Sequence, residues 1–331
     1  MRGSTRVFVM TELTDALAPE NAEGGGGGRG SSNVDLATDD TKRTHLRDAW
    51  RLLRRRPIFW VAAFLIAVFV SMTIVPQLFT AIAPGEGNPS GEFCFLADSR
   101  QGPSADHWFG TDVQGCDYYT QVTYGARISL RVALGATAIT LTIGILLGSL
   151  AGYYSGFIDT LISRLIDGFL ALPYLVAAII VLSVLASNAG RNEWHVMAAI
   201  GALGWPAVVR LYRASVLQVK SLEYVQAAKA LGASDARILA RHVLPNALAP
   251  VLVEATTGMG VVISVEATLT FFGVGLPLDS ASWGIMIAEA TGRFENSPHL
   301  LLFPGAYLFF GTLGFIIMGE LLREALDPRL R

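Results

Sequence analysis

The amino-acid sequence predicts an all-α fold: a polytopic membrane protein of six transmembrane helices. Three observations carry that expectation. Mean hydropathy is +0.46, and hydrophobic residues make up 52% of the 331. Charged residues are only 16% of the chain, against about a quarter in an ordinary soluble domain. Six separate stretches are apolar over the roughly 20 residues that a helix needs to cross a bilayer core of about 30 Å. The same composition excludes other classes. Lys+Arg 25 against Asp+Glu 27 leaves no positive excess to track a phosphate backbone, so no nucleic-acid partner is expected. Two cysteines are too few for a disulfide-dense module or a thiolate zinc site.

Residues 1–44 form a polar segment without apolar periodicity, containing the run Gly24–Gly28. Such a segment buries too little apolar surface to offset its ordering entropy, and it is read as a disordered cytoplasmic tail. It contains no apolar core followed by a small-residue cleavage site, so it is not read as a secretory signal. Met10 is an alternative start. Over 45–56, Leu46, Ala49, Trp50 and Leu53 fall on one helical face, and Arg47, Arg51, Arg54 and Arg55 fall largely off it. This amphipathic basic helix suits the inner membrane surface; the alternative is a solvated helix.

The spans are expected at about 57–83, 124–153, 160–186, 194–217, 245–272 and 298–322, within a membrane domain of 57–331. Helices are required because lipid cannot satisfy an open backbone. Basic residues set the orientation. Lys42, Arg43, Arg47, Arg51, Arg54, Arg55 and Arg56 precede the first span, whereas the loop of about 84–123 carries only Arg100. Both termini are therefore expected in the cytoplasm. The connection after span four adds Lys220, Lys229, Arg237 and Arg241 on that side. Arg127 and Arg131 begin span two at the outer side, where they either snorkel or face protein. Cys94 and Cys116 share the outer loop and are either bridged or unpaired.

The connection of about 220–245 is too long for a turn and too polar to span. Ser221–Leu231 is rich in helix formers. Gly232 follows where a helix ends on a left-handed residue. Ser234 is placed to cap a second helix with Asp235 in its first turn. Pro245 suits the first turn of the next membrane helix. The small residues Ala227 and Ala228 would let another protein approach closely; the alternative is a surface hairpin with no partner.

This connection resembles the signature of ABC-importer permeases: Glu-Ala-Ala, three residues, Gly, nine residues, Ile, any residue, Leu-Pro. Here it reads Gln226-Ala227-Ala228, Gly232, His242, Val243, Leu244-Pro245. Gln226 and His242 depart from it in a way similar to the peptide-permease branch. Gly110 to Leu130, Val265 to Gly275 and the C-terminal LREALDPRLR resemble the C-type subunits of dipeptide and oligopeptide permeases, a branch shared with nickel permeases. Where that family has Gly-Arg-Asp, this chain has Gly115-Cys116-Asp117, a departure that favours a private disulfide to Cys94.

The resemblance implies a type I ABC-importer permease fold in a bacterial inner membrane. It implies that 222–235 is a coupling helix docked on a cytoplasmic ATPase. The coupling residues would be Glu223, Gln226, Ala227, Ala228, Lys229, Gly232, Ala233, Ser234, Asp235, Leu244 and Pro245. The implied partners are a second, B-type permease, ATPase subunits, an extracytoplasmic binding protein and a peptide substrate. Nickel or another small solute is the alternative cargo. This chain would bind no cofactor and catalyse no reaction, with ATP and Mg held by the ATPase.

Few ionisable residues fall in the spans. Glu254 and Glu266 in span five either line a polar path or make structural pairs. They lie 12 residues apart, a rotation of about 120°, so they do not share a face. The remaining candidates for pairing are Asp167 and Glu320. His45, His107, His195, His242 and His299 are scattered and form no metal-binding pattern. Trp60, Trp108, Trp194 and Trp283 read as interface anchors. The repeated glycines of span two, Gly135, Gly144, Gly148 and Gly152, read as a close-packing face. No serine elbow supports an intramembrane enzyme. No internal repeat supports a secondary transporter.

Overall fold

The computed structural model describes residues 50–82, 94–277 and 280–326. The tail of 1–44, residues 45–49, part of the outer loop and the last residues of the C-terminal motif lie outside the described residues. Residues 50–54 are helical, and Leu53 is buried with Phe59, Leu321 and Ala325. The membrane helices then follow in order.

Helix α1, Pro57–Ile74, starts on its proline. It stops short of the expected 83 because Pro76 pushes Val75 out of helical geometry, to φ −131° and ψ 68°. Helix α2, Tyr118–Tyr154, begins earlier than expected, because the Asp117 carboxylate accepts from the Thr120 N–H and caps it there. At 37 residues it is about 55 Å long, so it projects beyond the bilayer core.

The third span is not one helix. It is α3, Phe157–Leu170, followed by α4, Tyr174–Ala189, with a bend of 86° between them. Pro173 supplies the reason. It has no N–H to donate, and it disfavours helical geometry at Leu172. Five described helices are individually long and apolar enough to cross a membrane, or six if the bent pair is one span.

Helix α5, Glu193–Lys220, is capped by Asn192, whose side chain accepts from Trp194 N–H at 3.0 Å. A hairpin follows, with α6 at Glu223–Ala230, α7 at Asp235–Ile238, a wide turn at Leu239–Val243 and α8 at Leu244–Ala247. The fifth span, α9, is Ala249–Phe271, with Pro250 rather than Pro245 in its first turn. Helix α10, Trp283–Ala290, lies in what reads from sequence as plain outer loop. Helix α11, His299–Leu326, is the last.

Two apolar clusters join these helices. Phe69, Val122, Ile263, Trp283, Leu300 and Phe315 bind α1, α2, α9, α10 and α11. Val132, Leu182, Met197, Ile200 and Leu269 bind α2, α4, α5 and α9. Trp283 is not an interface anchor: it is fully buried, and its indole N–H donates to Val122 O at 2.8 Å. Trp60, Trp108 and Trp194 are exposed.

The longest seam runs between α2 and α5, and glycines set its closeness. A Cβ at Gly144 would lie 2.4 Å from Val208 Cγ1, and one at Gly152 would lie 2.7 Å from Val216 Cγ1. Gly148 faces Tyr212 in the same row. In lipid, where hydrophobicity does not drive helix association, such close approach supplies the dispersion contact that does.

Both arginines of α2 find protein partners. Arg127 Nε donates to Thr73 O at 3.0 Å, and Arg131 pairs with Glu193 at 3.3 Å. Asp159 receives two hydrogen bonds from Arg213, each 2.6 Å, and Asp167 pairs with Arg210 at 3.0 Å. These two pairs tie α3 to α5.

The start of α2 carries a compact cap. Cys94 and Cys116 are disulfide-bonded, with Cα atoms 4.7 Å apart. The Asp112 carboxylate accepts from the N–H groups of Gln114 and Cys116. Phe109 stacks on Phe303 at 3.8 Å, and Tyr118 OH donates to Leu300 O at 2.6 Å, seating the cap on α11. Closing a loop of 22 residues stabilises by about 3 kcal/mol in the chain-entropy model. Both thiols should therefore resist alkylation in the native protein and label together only after reduction. Labelling of either cysteine without reductant, read by intact mass, contradicts the bridge.

Candidate functional site

The hairpin between α5 and α9 is the most elaborated feature outside the bundle. Its first helix ends at Gly232, which takes φ +81°. The N–H of Ala233 donates back to Ala228 O at 3.1 Å, and that of Gly232 to Lys229 O at 3.0 Å. This is the glycine-ended closure in which a left-handed residue lets the chain satisfy the last carbonyls. Ser234 stands at the N-cap position of α7 but makes no capping side-chain bond. Asp235 is instead held from another helix.

That hold is the centre of the site. Tyr153, in the last turn of α2, donates from its hydroxyl to Asp235 Oδ1 at 2.6 Å. Lys220, the last residue of α5, donates to the Tyr153 carbonyl, and its ammonium lies 5.2 Å from the centroid of the Tyr153 ring. Gln226 Nε2 donates to Lys220 O at 2.8 Å. Tyr212 OH donates to Leu244 O at 3.3 Å. The ends of α2 and α5 thus grip both arms of the hairpin.

Beneath these polar contacts lies an apolar foot. Val225, Ile238, Val243 and Ala247 are buried together with Tyr153, Val208, Tyr212, Val216 and Val219. Ala228, Ala233 and Leu244 pack at its edge. Glu223, Ala227, Lys229 and Pro245 are exposed. So are Leu222, Tyr224 and Leu231, the last 88% exposed. The His242 ring sits 6.3 Å from that of Tyr224. Partial desolvation by its neighbours raises the Tyr224 phenol above its usual range.

Sequence spacing marks the hairpin residues but not Tyr153, Lys220 or Tyr212 as their anchors. The available signal is the Tyr153-Tyr154 pair ending an otherwise apolar span.

The two span-five carboxyls part company. Glu266 is fully buried and accepts from Ser129 Oγ and Thr270 Oγ1, both at 3.0 Å. It fastens α9 to α2 and does not reach the cavity that Glu254 lines. That cavity, about 310 Å³, lies among α2, the α3–α4 bend, α5 and α9. Among the described residues no group of three or more His, Cys, Asp or Glu side chains could hold a metal ion.

A multi-pass helical bundle bearing a helical hairpin clamped to the feet of its two longest-seamed helices is the architecture of a membrane transport permease. Residues 144–331 match the model of the binding-protein-dependent transport system inner membrane component. Over 285 residues the chain is 38% identical to the dipeptide transport system permease protein DppC of Alkalihalophilus pseudofirmus, covering 86% of this chain and 90% of that one. It is 37% identical over 297 residues to the glutathione transport system permease protein GsiD of Escherichia coli, covering 89% and 94%. It is 33% identical over 285 residues to the oligopeptide transport system permease protein OppC of Bacillus subtilis, covering 86% and 90%. Among solved structures, the MetNI methionine ABC transporter aligns at TM-score 0.51 and 16% identity over 62% of this chain and 97% of that chain, a likeness of fold. The chain belongs to the binding-protein-dependent transport system inner membrane component family. It is a multi-pass inner-membrane permease subunit of a binding-protein-dependent ABC importer.

Gly232 offers a clean test of the hairpin, because nothing lies within 4 Å of a Cβ built there. Only backbone strain opposes a substitution, about 1–3 kcal/mol for a β-branched residue in this conformation. Gly232→Val should cut transport about tenfold or more at unchanged membrane insertion, while Gly232→Asn, which tolerates the left-handed region, should retain most of it. Equal transport by the two variants would refute a role for the turn.

Proposed function

We propose that this permease imports peptides, and that the 222–235 segment is the lever through which an ATPase drives it. Both termini lie in the cytoplasm, and the hairpin docks into a groove of a cytoplasmic ATPase subunit. A second, B-type permease completes the pore, and an extracytoplasmic binding protein delivers cargo at the disulfide-capped face. The chain itself is non-catalytic and holds no cofactor; ATP and Mg belong to the ATPase. The family relatives named for dipeptide, oligopeptide and glutathione transport support the cargo class.

The single observation that carries the lever is the division of the hairpin into two faces. Val225 and Ile238 are buried at the feet of α2 and α5, while Tyr224, Ala227 and Leu231 face outward. A push on the outer face is passed to the bundle without a soft joint. ATP favours closure only through its differential affinity for the two docked arrangements.

Mild-detergent purification from the native membrane should bring down a related permease and ATPase subunits. The same material, reconstituted with its binding protein, should take up a labelled dipeptide only when ATP is present. Recovery of the chain alone, even after crosslinking, contradicts the lever; an assembled complex that takes up no dipeptide contradicts the cargo.

A further inference from the structure

The carboxyl groups on the helices that span or enter the membrane are not alike. Asp159 and Asp167 pair with Arg213 and Arg210, Glu193 with Arg131, Glu320 with Arg323, and Glu324 with Arg56. Glu266 is enclosed and hydrogen-bonded. Glu254, in the second turn of α9, has no ion pair or hydrogen bond among the described residues, and it lines the 310 Å³ cavity.

The other polar groups of that cavity divide in the same manner. Thr140 Oγ1 donates to Gly201 O at 3.1 Å, and Tyr174 OH donates to Ile200 O at 3.2 Å, so both have partners. Thr137 does not. Its hydroxyl is fully buried without any partner, in a residue only 8% exposed. Buried hydroxyls in folded proteins are nearly always bonded, and Thr137 shares this exception with Thr123 among the described residues. The remaining walls are apolar, from residues such as Leu141, Leu203 and Val262.

We propose that this cavity is a transit site for a primary ammonium group of the cargo, with Glu254 as counter-charge. The inference rests on the peptide-import reading and deepens it, because a peptide carries such an ammonium at its free N-terminus. A carboxylate in a mostly apolar wall attracts a cation. The apolar walls accommodate the adjoining side chain. The cavity borders the sharp α3–α4 bend at Leu170 and Tyr174, so a shift at that bend would open or close the site as the bundle moves.

The test uses the assembled complex in lipid nanodiscs with a single reporter cysteine, Ala255→Cys, and independently Leu141→Cys. Both positions line the cavity, and the two native cysteines are bridged and silent. The cationic reagent methanethiosulfonate ethylammonium should label the reporter about ten times faster than the anionic methanethiosulfonate ethylsulfonate. Glu254→Gln should bring the two rates together. A dipeptide with a free N-terminus should slow labelling, and its N-acetylated form should not. The proposal is overturned if Glu254→Gln leaves the rate ratio unchanged, if both dipeptides protect equally, or if neither reagent reaches either reporter because a second permease fills the cavity. Dipeptide uptake by the parent complex in vesicles separates the two levels. Uptake with an unchanged labelling ratio overturns this site alone, whereas absence of uptake overturns the peptide reading and the site with it.

Discussion

The proposed working of this permease depends on the grip of α2 and α5 on the hairpin between α5 and α9. An isolated pair of short helices, such as Glu223–Ala230 and Asp235–Ile238, is too short to hold its own shape in water. Here Val225 and Ile238 bury their side chains at the bundle's foot, and the Tyr153 hydroxyl pins Asp235 from the last turn of α2. Lys220 closes the arrangement by bonding to the Tyr153 carbonyl while Gln226 bonds to Lys220. Polar and apolar contacts thus act on the same two helices. In the proposed mechanism the hairpin moves when they move.

The glycine seam extends that rigidity through the membrane. Gly144, Gly148 and Gly152 lie opposite Val208, Tyr212 and Val216, and these partners also belong to the apolar foot of the hairpin. The contact that holds α2 to α5 therefore continues into the contact that holds both to the hairpin. At the far end of α2, Asp117 and the disulfide-closed cap fix its start. Between these fixed ends the least continuous part of the bundle is the α3–α4 bend. It breaks the span beside the cavity that holds Glu254.

Much of this was legible in the sequence, for physical reasons. Lipid demands long apolar helices, so span number and approximate bounds follow from hydropathy. Gly232 is readable because only glycine takes φ +81° without strain. Other features needed a third dimension. Tyr153 and Asp235 lie 82 residues apart, and no local pattern links them. Trp283 has the outer-loop position of an interface anchor, but its indole is spent on Val122 inside the core. Glu254 and Glu266 are equivalent in a linear reading apart from their relative rotation; packing leaves one in a cavity and seals the other between Ser129 and Thr270. The bend in span three was available in principle, since Pro173 disfavours a continuous helix, but total apolar length outweighed it.

The central claim is that the hairpin and α2 move as one body. Spin labels at Leu231→Cys on the exposed hairpin tip and Leu146→Cys on the exposed face of α2 measure this directly, because the native cysteines are bridged. Pulsed electron-spin distance measurements on the assembled complex, without nucleotide and with ATP trapped, give the distance in both states. The account predicts the same distance in both. A shift of one helical turn, about 5 Å, or more would contradict it and make the hairpin a hinged arm.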